Sequence, residues 1–307
     1  MNIQSLSICV PAKRCINDCK FCCSKMHGGD YEDRFTPIST TMKYIEDMKK
    51  RLQYARDNGC NTLMLTGNNE PQQNKDFLRV LGVVNQSLSN PFKNIEIQTS
   101  GAFIDEDMLD FLKEVGVTTV AVSVACIDRD EINRITIQTP DKKLNIRSLC
   151  RGIKARNMNL RICLNMNDMM CSKLAKIDYS EEFFSPSIEE AVEEVIIWCK
   201  EFKADQITCR ALWTSEDGTP QAEWIKENVT KKTFDFIKTF KEIVKRDGRY
   251  LDTLEYGADR YDYKDFSVVV DEDSMAQEGK KDSVKYLIVR PNGHLYSRWD
   301  SKASLVF

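Results

Sequence analysis

The chain has 307 residues, with 44 Lys and Arg against 47 Asp and Glu and a formal net charge of −3. Charges of both signs run throughout, which argues against affinity built on a phosphate backbone and makes nucleic acid an unfavoured partner, short of a local basic patch. With no apolar run of about 18 residues and no basic-then-apolar start, neither a membrane span nor a secretory signal is expected, and a cytoplasmic protein is.

A chain of this length can bury a full core, and α/β barrels of this size form one domain. Strand patterns fall at residues 6–10, 62–66, 94–99, 119–124, 160–165 and 206–212, each followed by a helical pattern. In the first helix Ser39, Thr40 or Thr41 can cap, Ile45, Met48, Leu52 and Ala55 recur on one face, and Gly59 stops it. The fifth, over 187–202, repeats Ile188, Ala191, Val192, Val195, Ile196 and Cys199; the sixth uses Phe234, Ile237 and Val244. Strands alternating with helices imply parallel pairing, so the fold class expected is α/β, a partial six-unit βα barrel over residues 1–247.

From residue 248 the pattern changes to an acidic, tyrosine-bearing stretch, then 266–270, then 286–299 around Pro291-Asn292-Gly293, which reads as a hairpin. Residues 248–307 are therefore expected to form an extension capping the barrel. The acidic cluster Asp259, Asp262, Asp265, Asp271, Glu272 and Asp273 reads as a solvated loop.

Twelve cysteines would suggest disulfides in a small secreted domain. Yet Cys9, Cys60, Cys126, Cys150, Cys163, Cys199 and Cys209 fall in apolar runs, where a thiol behaves as a small hydrophobe, and are expected in the core. Cys15, Cys19 and Cys22 differ. Their spacing can hold three corners of a four-iron cluster and leave the fourth iron open, whereas such a cube normally takes four thiolates. A structural zinc site completed by Cys23 or His27 is the alternative, weakened by the lack of a second close cysteine couple. Only one other histidine, His294, is present.

The stretch Cys15-Ile16-Asn17-Asp18-Cys19-Lys20-Phe21-Cys22 resembles the signature of the radical S-adenosylmethionine (SAM) superfamily, with Phe21 at the aromatic position. The turn Gly67-Asn68-Asn69-Glu70-Pro71 after the second strand is similar to that family's glycine-rich segment, with Asn69 where glycine is common. The resemblance implies a [4Fe-4S] cluster on the three cysteines whose open iron chelates the amino and carboxylate groups of SAM. It implies that Phe21, Gly67, Asn68, Asn69, Glu70, Ser100, Ser123, Asn165 and Arg210 bind SAM, with Arg210 also able to meet an anionic substrate. The implied chemistry is reductive cleavage of SAM to a 5′-deoxyadenosyl radical that takes hydrogen from a substrate, fed by a flavodoxin or ferredoxin type electron donor.

Residues 285–296 resemble the hairpin near the end of the molybdenum-cofactor cyclase, where cysteines bind a second cluster; here none follows Cys209, so one cluster is expected. Tyr296, with Arg298 and Trp299, could touch a substrate or serve as hairpin packing. The early first strand leaves no room for a peptide-recognition domain ahead of it, and the single-cluster layout resembles viperin. A small polar substrate, a nucleotide or sugar derivative, is therefore favoured. The alternatives are an activase of a glycyl-radical enzyme, a peptide- or RNA-modifying enzyme and, from another class, a zinc-stabilised binding protein.

Overall fold

A computed structural model of the chain describes residues 2–12, 15–26, 41–127, 145–175, 188–216, 218–254, 258–271, 283–299 and 301–307. Ser39, Thr40, His27, Glu272 and Asp273, named above, lie outside the described residues. Six strands follow the expected pattern: β1 (Asn2–Cys9), β2 (Thr62–Thr66), β3 (Asn94–Thr99), β4 (Thr119–Val124), β5 (Asn159–Met166) and β6 (Gln206–Ala211). All pair in parallel, each with the next.

The tail joins the same sheet. Strands β7 (Arg249–Thr253), β8 (Asp259–Tyr263), β9 (Phe266–Asp271), β10 (Ser283–Val289) and β11 (Leu295–Tyr296) complete the order β11-β10-β1-β2-β3-β4-β5-β6-β9-β8-β7. β9 lies parallel to β6 and β10 parallel to β1, so the parallel run has eight strands where six were expected. The expected hairpin is present, with Ile288 opposite Tyr296 and Val289 opposite Leu295, but its first strand extends the barrel wall. The sheet stays open, with β11 and β7 as its edges. Its curvature nonetheless brings Asp271 of β9 and Lys285 of β10, at opposite ends of the parallel run, within 3.7 Å.

Alternation along the strands divides two faces. Leu6 and Ile8, Leu63 and Leu65, Ile95 and Ile97, Val120 and Val122, Leu160 and Ile162, and Ile207 and Cys209 are buried in one core cluster with the helices. The intervening residues, Ser5, Ser7, Met64, Glu96, Gln98, Ser123, Arg161, Asn165, Thr208 and Arg210, face the lumen and are mostly polar. The seven cysteines expected in the core are all buried, as is Cys171, but Cys9 and Cys163 lie outside the main core cluster, on the lumen face of β1 and β5.

The covering helices are α2 (Met42–Asp57), α3 (Lys75–Gln86), α4 (Glu106–Glu114), α5 (Ile146–Ala155), α6 (Asp168–Ala175), α7 (Ile188–Glu201) and α9 (Lys231–Asp247), with short α1 (Cys23–Met26) and α8 (Pro220–Asn228) above the strand ends. Thr41 caps α2 by accepting from the Tyr44 N–H, and Met48, Leu52 and Ala55 are buried as expected, while Ile45 is only partly so. In α9 the apolar face is Phe236, Ile237, Phe240, Ile243 and Val244. Phe234, read as a core residue, is 53% exposed because it precedes that i, i+4 stripe by two residues and points away from it.

Candidate cluster and cofactor site

The loop that follows β1 is pinned to the turn after β2. The Val10 N–H donates to the Thr66 carbonyl at 2.8 Å, and the Asn69 and Asn74 amides donate to the carbonyls of Val10 and Pro11 at 2.6 and 2.7 Å. Gly67 has φ +148°, and a Cβ there would stand 3.3 Å from both N and O of Val10, so the close approach of the two segments requires glycine. Ser24 donates to the Gly67 carbonyl at 3.3 Å, tying the start of α1 to the same turn.

Cys15, Cys19 and Cys22 are half-buried free thiols, and Cys23 is exposed. A tight turn, with the Cys22 N–H on the Cys19 carbonyl at 3.3 Å and Lys25 on Cys22 at 3.1 Å, sets the last two, and Lys25 forms an ion pair with Asp18. The Asn17 N–H points at the Cys15 sulfur at 3.4 Å. Burial pushes the Cys15 thiol up, and pushes Cys19 up strongly, with the neighbouring Cys22, Glu70 and Cys15 adding to it. Cys22 is pushed up to about 12, again chiefly by burial. Thiols raised in this way become stable thiolates only with a cation among them, the donor chemistry that an iron-sulfur cluster requires. Among the described residues no three His, Cys, Asp or Glu side chains close round a single metal ion.

Glu70 is the hub beside this loop. Its Oε1 accepts from the Asn17 amide at 2.8 Å and the Ser100 N–H at 3.1 Å; its Oε2 accepts from the Gln72 amide at 3.0 Å and from the Thr99 hydroxyl. Asn17 also donates to Ser100 Oγ at 2.9 Å, and Gln73 Oε1 accepts from the N–H groups of Ile16 and Glu70 at 3.2 and 3.1 Å. Glu70, expected to bind SAM, thus has both oxygens engaged by its own chain, and Ser100 is buried in the same web. The Oδ1 atoms of Asn17 and Asn69 are buried acceptors without a donor among the described residues.

Phe21 packs on Trp224 of α8, with ring centroids 5.9 Å apart, in a small cluster with Met26, Ala222, Ile225 and Val229. Helix α8 was not foreseen from the sequence, although Thr219, whose hydroxyl accepts from Ala222, and Pro220 at its start carry the signal. On the lumen face Ser123, Asn165 and Arg210 lie near the strand ends, with Asn165 paired in register to Arg210. Arg210 stands 4.0 Å from Asp271, which in turn meets Lys285. Asp271, read as part of a solvated loop, is buried; as the last residue of β9, in register with Arg210, it is held in the lumen by strand pairing. Deeper, Arg161 pairs with buried Glu96 at 2.8 Å and donates to Gln206 at 2.8 Å. Tyr296 is buried against Cys9, Tyr286 and Ile288 in a small cluster apart from the main core, its hydroxyl accepts from Asn292 at 2.9 Å, and the Arg290 guanidinium lies 4.0 Å over its ring.

No helix among the described residues is long and apolar enough to cross a membrane. A search of curated protein sequences finds no match. Among solved structures the chain is similar in fold to Streptococcus suis SuiB bound to S-adenosylmethionine, with a TM-score of 0.56 and 14% identity over 96% of this chain and 60% of that one. It is similar to anSMEcpe with bound AdoMet, with a TM-score of 0.63 and 14% identity over 100% of this chain and 74% of that one. It is also similar to coproporphyrinogen III oxidase (HemN) from Escherichia coli, a radical SAM enzyme, with a TM-score of 0.51 and 13% identity over 81% and 54%. This chain therefore spans 60% of the length of SuiB. The profile of the Radical SAM superfamily matches residues 9–170, from the end of β1 through β5. That match covers more than half of the chain, which thus belongs to the radical SAM superfamily of enzymes, users of a [4Fe-4S] cluster and SAM.

Proposed function

We propose that Cys15, Cys19 and Cys22 hold the cluster, that the strand ends hold SAM, and that a small polar substrate, a nucleotide or sugar derivative, lies in the lumen. The polar lumen face carries this reading: an apolar substrate has no use for Glu96 and Asp271, whose burial costs solvation, or for half-buried Arg161 and Arg210 beside them. The bound cofactors would supply a 5′-deoxyadenosyl radical that abstracts hydrogen. The chain's own residues position and shelter. Gly67 and Asn68 let the backbone approach the SAM amino group, Asn69 Oδ1 offers it an acceptor, and Ser123, Asn165 and Arg210 face the remainder of the cofactor. Phe21 on Trp224 and the α8 cluster wall the mouth against water. A flavodoxin or ferredoxin type protein would deliver the electron.

A peptide substrate is the second reading. The observation favouring it is similarity to SuiB bound to precursor peptide SuiA, at a TM-score of 0.53, and to anSMEcpe with bound AdoMet and Cp18Cys peptide, at 0.60. The deciding experiment follows 5′-deoxyadenosine made by the anaerobically reconstituted protein with SAM and reductant, against a panel of nucleotides, sugar phosphates and peptides. Stimulation by a nucleotide or sugar derivative, with label transfer from it into 5′-deoxyadenosine, supports the first reading. Stimulation by peptides alone replaces it with the second, and stimulation only by an added protein partner points to an activase.

A further inference from the structure

We infer that Glu70 is a positioning residue that lowers the reduction potential of the cluster beside it. This rests on the cluster assignment proposed above. Glu70 is buried, and only donors meet it: the amides of Asn17 and Gln72, the Ser100 N–H and the Thr99 hydroxyl, the contact set of a carboxylate anion. No Lys, Arg or His forms an ion pair with it among the described residues, so its charge is spread over hydrogen bonds without being cancelled. The web leads straight to the ligand loop, because the residue whose side chain donates to Glu70 also directs its backbone N–H at the Cys15 sulfur.

Net charge and hydrogen bonds to sulfur are among the levers that set the potential of an iron-sulfur cluster. A fixed negative charge nearby makes an added electron more costly, and in a water-poor site little screens it. The Asn17 N–H on Cys15 acts in the opposite sense and is present in every variant compared, so exchanging Glu70 for glutamine isolates the effect of the charge. A hub needed for shape alone is approximated by glutamine, whose one amide oxygen accepts from Thr99, Gln72 and Ser100 on the Oε2 side and whose NH2 group meets Asn17, the amide of which turns to offer its Oδ1.

The test is an EPR-monitored potentiometric titration of anaerobically reconstituted wild type, Glu70→Gln and Glu70→Asp, each first assayed for iron and sulfide. The expected result is full cluster in all three, with the midpoint of Glu70→Gln shifted to a more positive potential and that of Glu70→Asp within titration scatter of wild type. Equal midpoints for wild type and Glu70→Gln, or equal positive shifts in both variants, would overturn the inference. So would loss of the cluster from Glu70→Gln with its retention in Glu70→Asp at a shifted midpoint, which leaves Glu70 as a loop anchor. A wild type that takes up no cluster overturns the underlying assignment instead, a result separable from the others by the iron analysis alone.

Discussion

Two polar regions flank the strand ends, and they are built on opposite plans. Around Glu70 every contact is a direct hydrogen bond, most between 2.8 and 3.2 Å, and the carboxylate has no capacity left over. Across the lumen, Arg210 and Asp271 stand 4.0 Å apart and Asp271 and Lys285 3.7 Å, near enough to balance charge yet too far for a direct hydrogen bond. The first plan fixes a loop in place, and the second balances charge across the lumen with these pairs held apart. The same residue types thus act in one region through direct hydrogen bonds and in the other through charge balance at longer range.

Variants can break this contrast. The largest effect is expected from Cys15→Ala, Cys19→Ala or Cys22→Ala, each losing the cluster and all SAM cleavage, with Cys23→Ala retaining both; iron content and 5′-deoxyadenosine yield check this. Next, Gly67→Ala forces a side chain into φ +148° against Val10 and should cost about 1–3 kcal/mol in a denaturant melt, with SAM affinity reduced as well. Asn17→Ala removes the link from the loop to Glu70 and Ser100, for a loss of about 1–2 kcal/mol and slower cluster uptake.

On the lumen side the two readouts should separate. Arg210→Gln leaves Asp271 its Lys285 partner, so stability should change by less than about 1 kcal/mol. Binding of SAM or substrate, measured by calorimetry, should nevertheless weaken about tenfold, the worth of one charge-assisted contact. A variant that melted early without losing affinity would show the lumen pair to be scaffold after all. The smallest effect belongs to Phe234→Ser on the exposed side of α9, within about 0.5 kcal/mol.

Much of this arrangement was legible in the sequence. The six core strands, the cysteine loop after the first and the glycine turn after the second rest on local period and turn chemistry, and Thr41, Met48 and Leu52 behave as their spacing requires. What was not legible is non-local. Phe266–Asp271 carries a valine-rich strand pattern, but nothing in it says that its partner is β6, and without that partner Asp271 reads as one more acid in an acidic run. The same holds for β10 beside β1. Glu70 was picked out by its motif, yet its role came from Thr99, Ser100 and Asn17, residues 29, 30 and 53 positions away in the chain.

Under the proposed assignment, three thiols on one loop carry a cluster that cleaves SAM. Anaerobic reconstitution of wild type and Cys22→Ala, with iron, sulfide and zinc analysis and 5′-deoxyadenosine measured after adding SAM and reductant, tests it most directly. Expected are about four irons and four sulfides per wild-type chain, 5′-deoxyadenosine from wild type, and neither from the variant. A colourless wild type holding stoichiometric zinc and leaving SAM intact would contradict it.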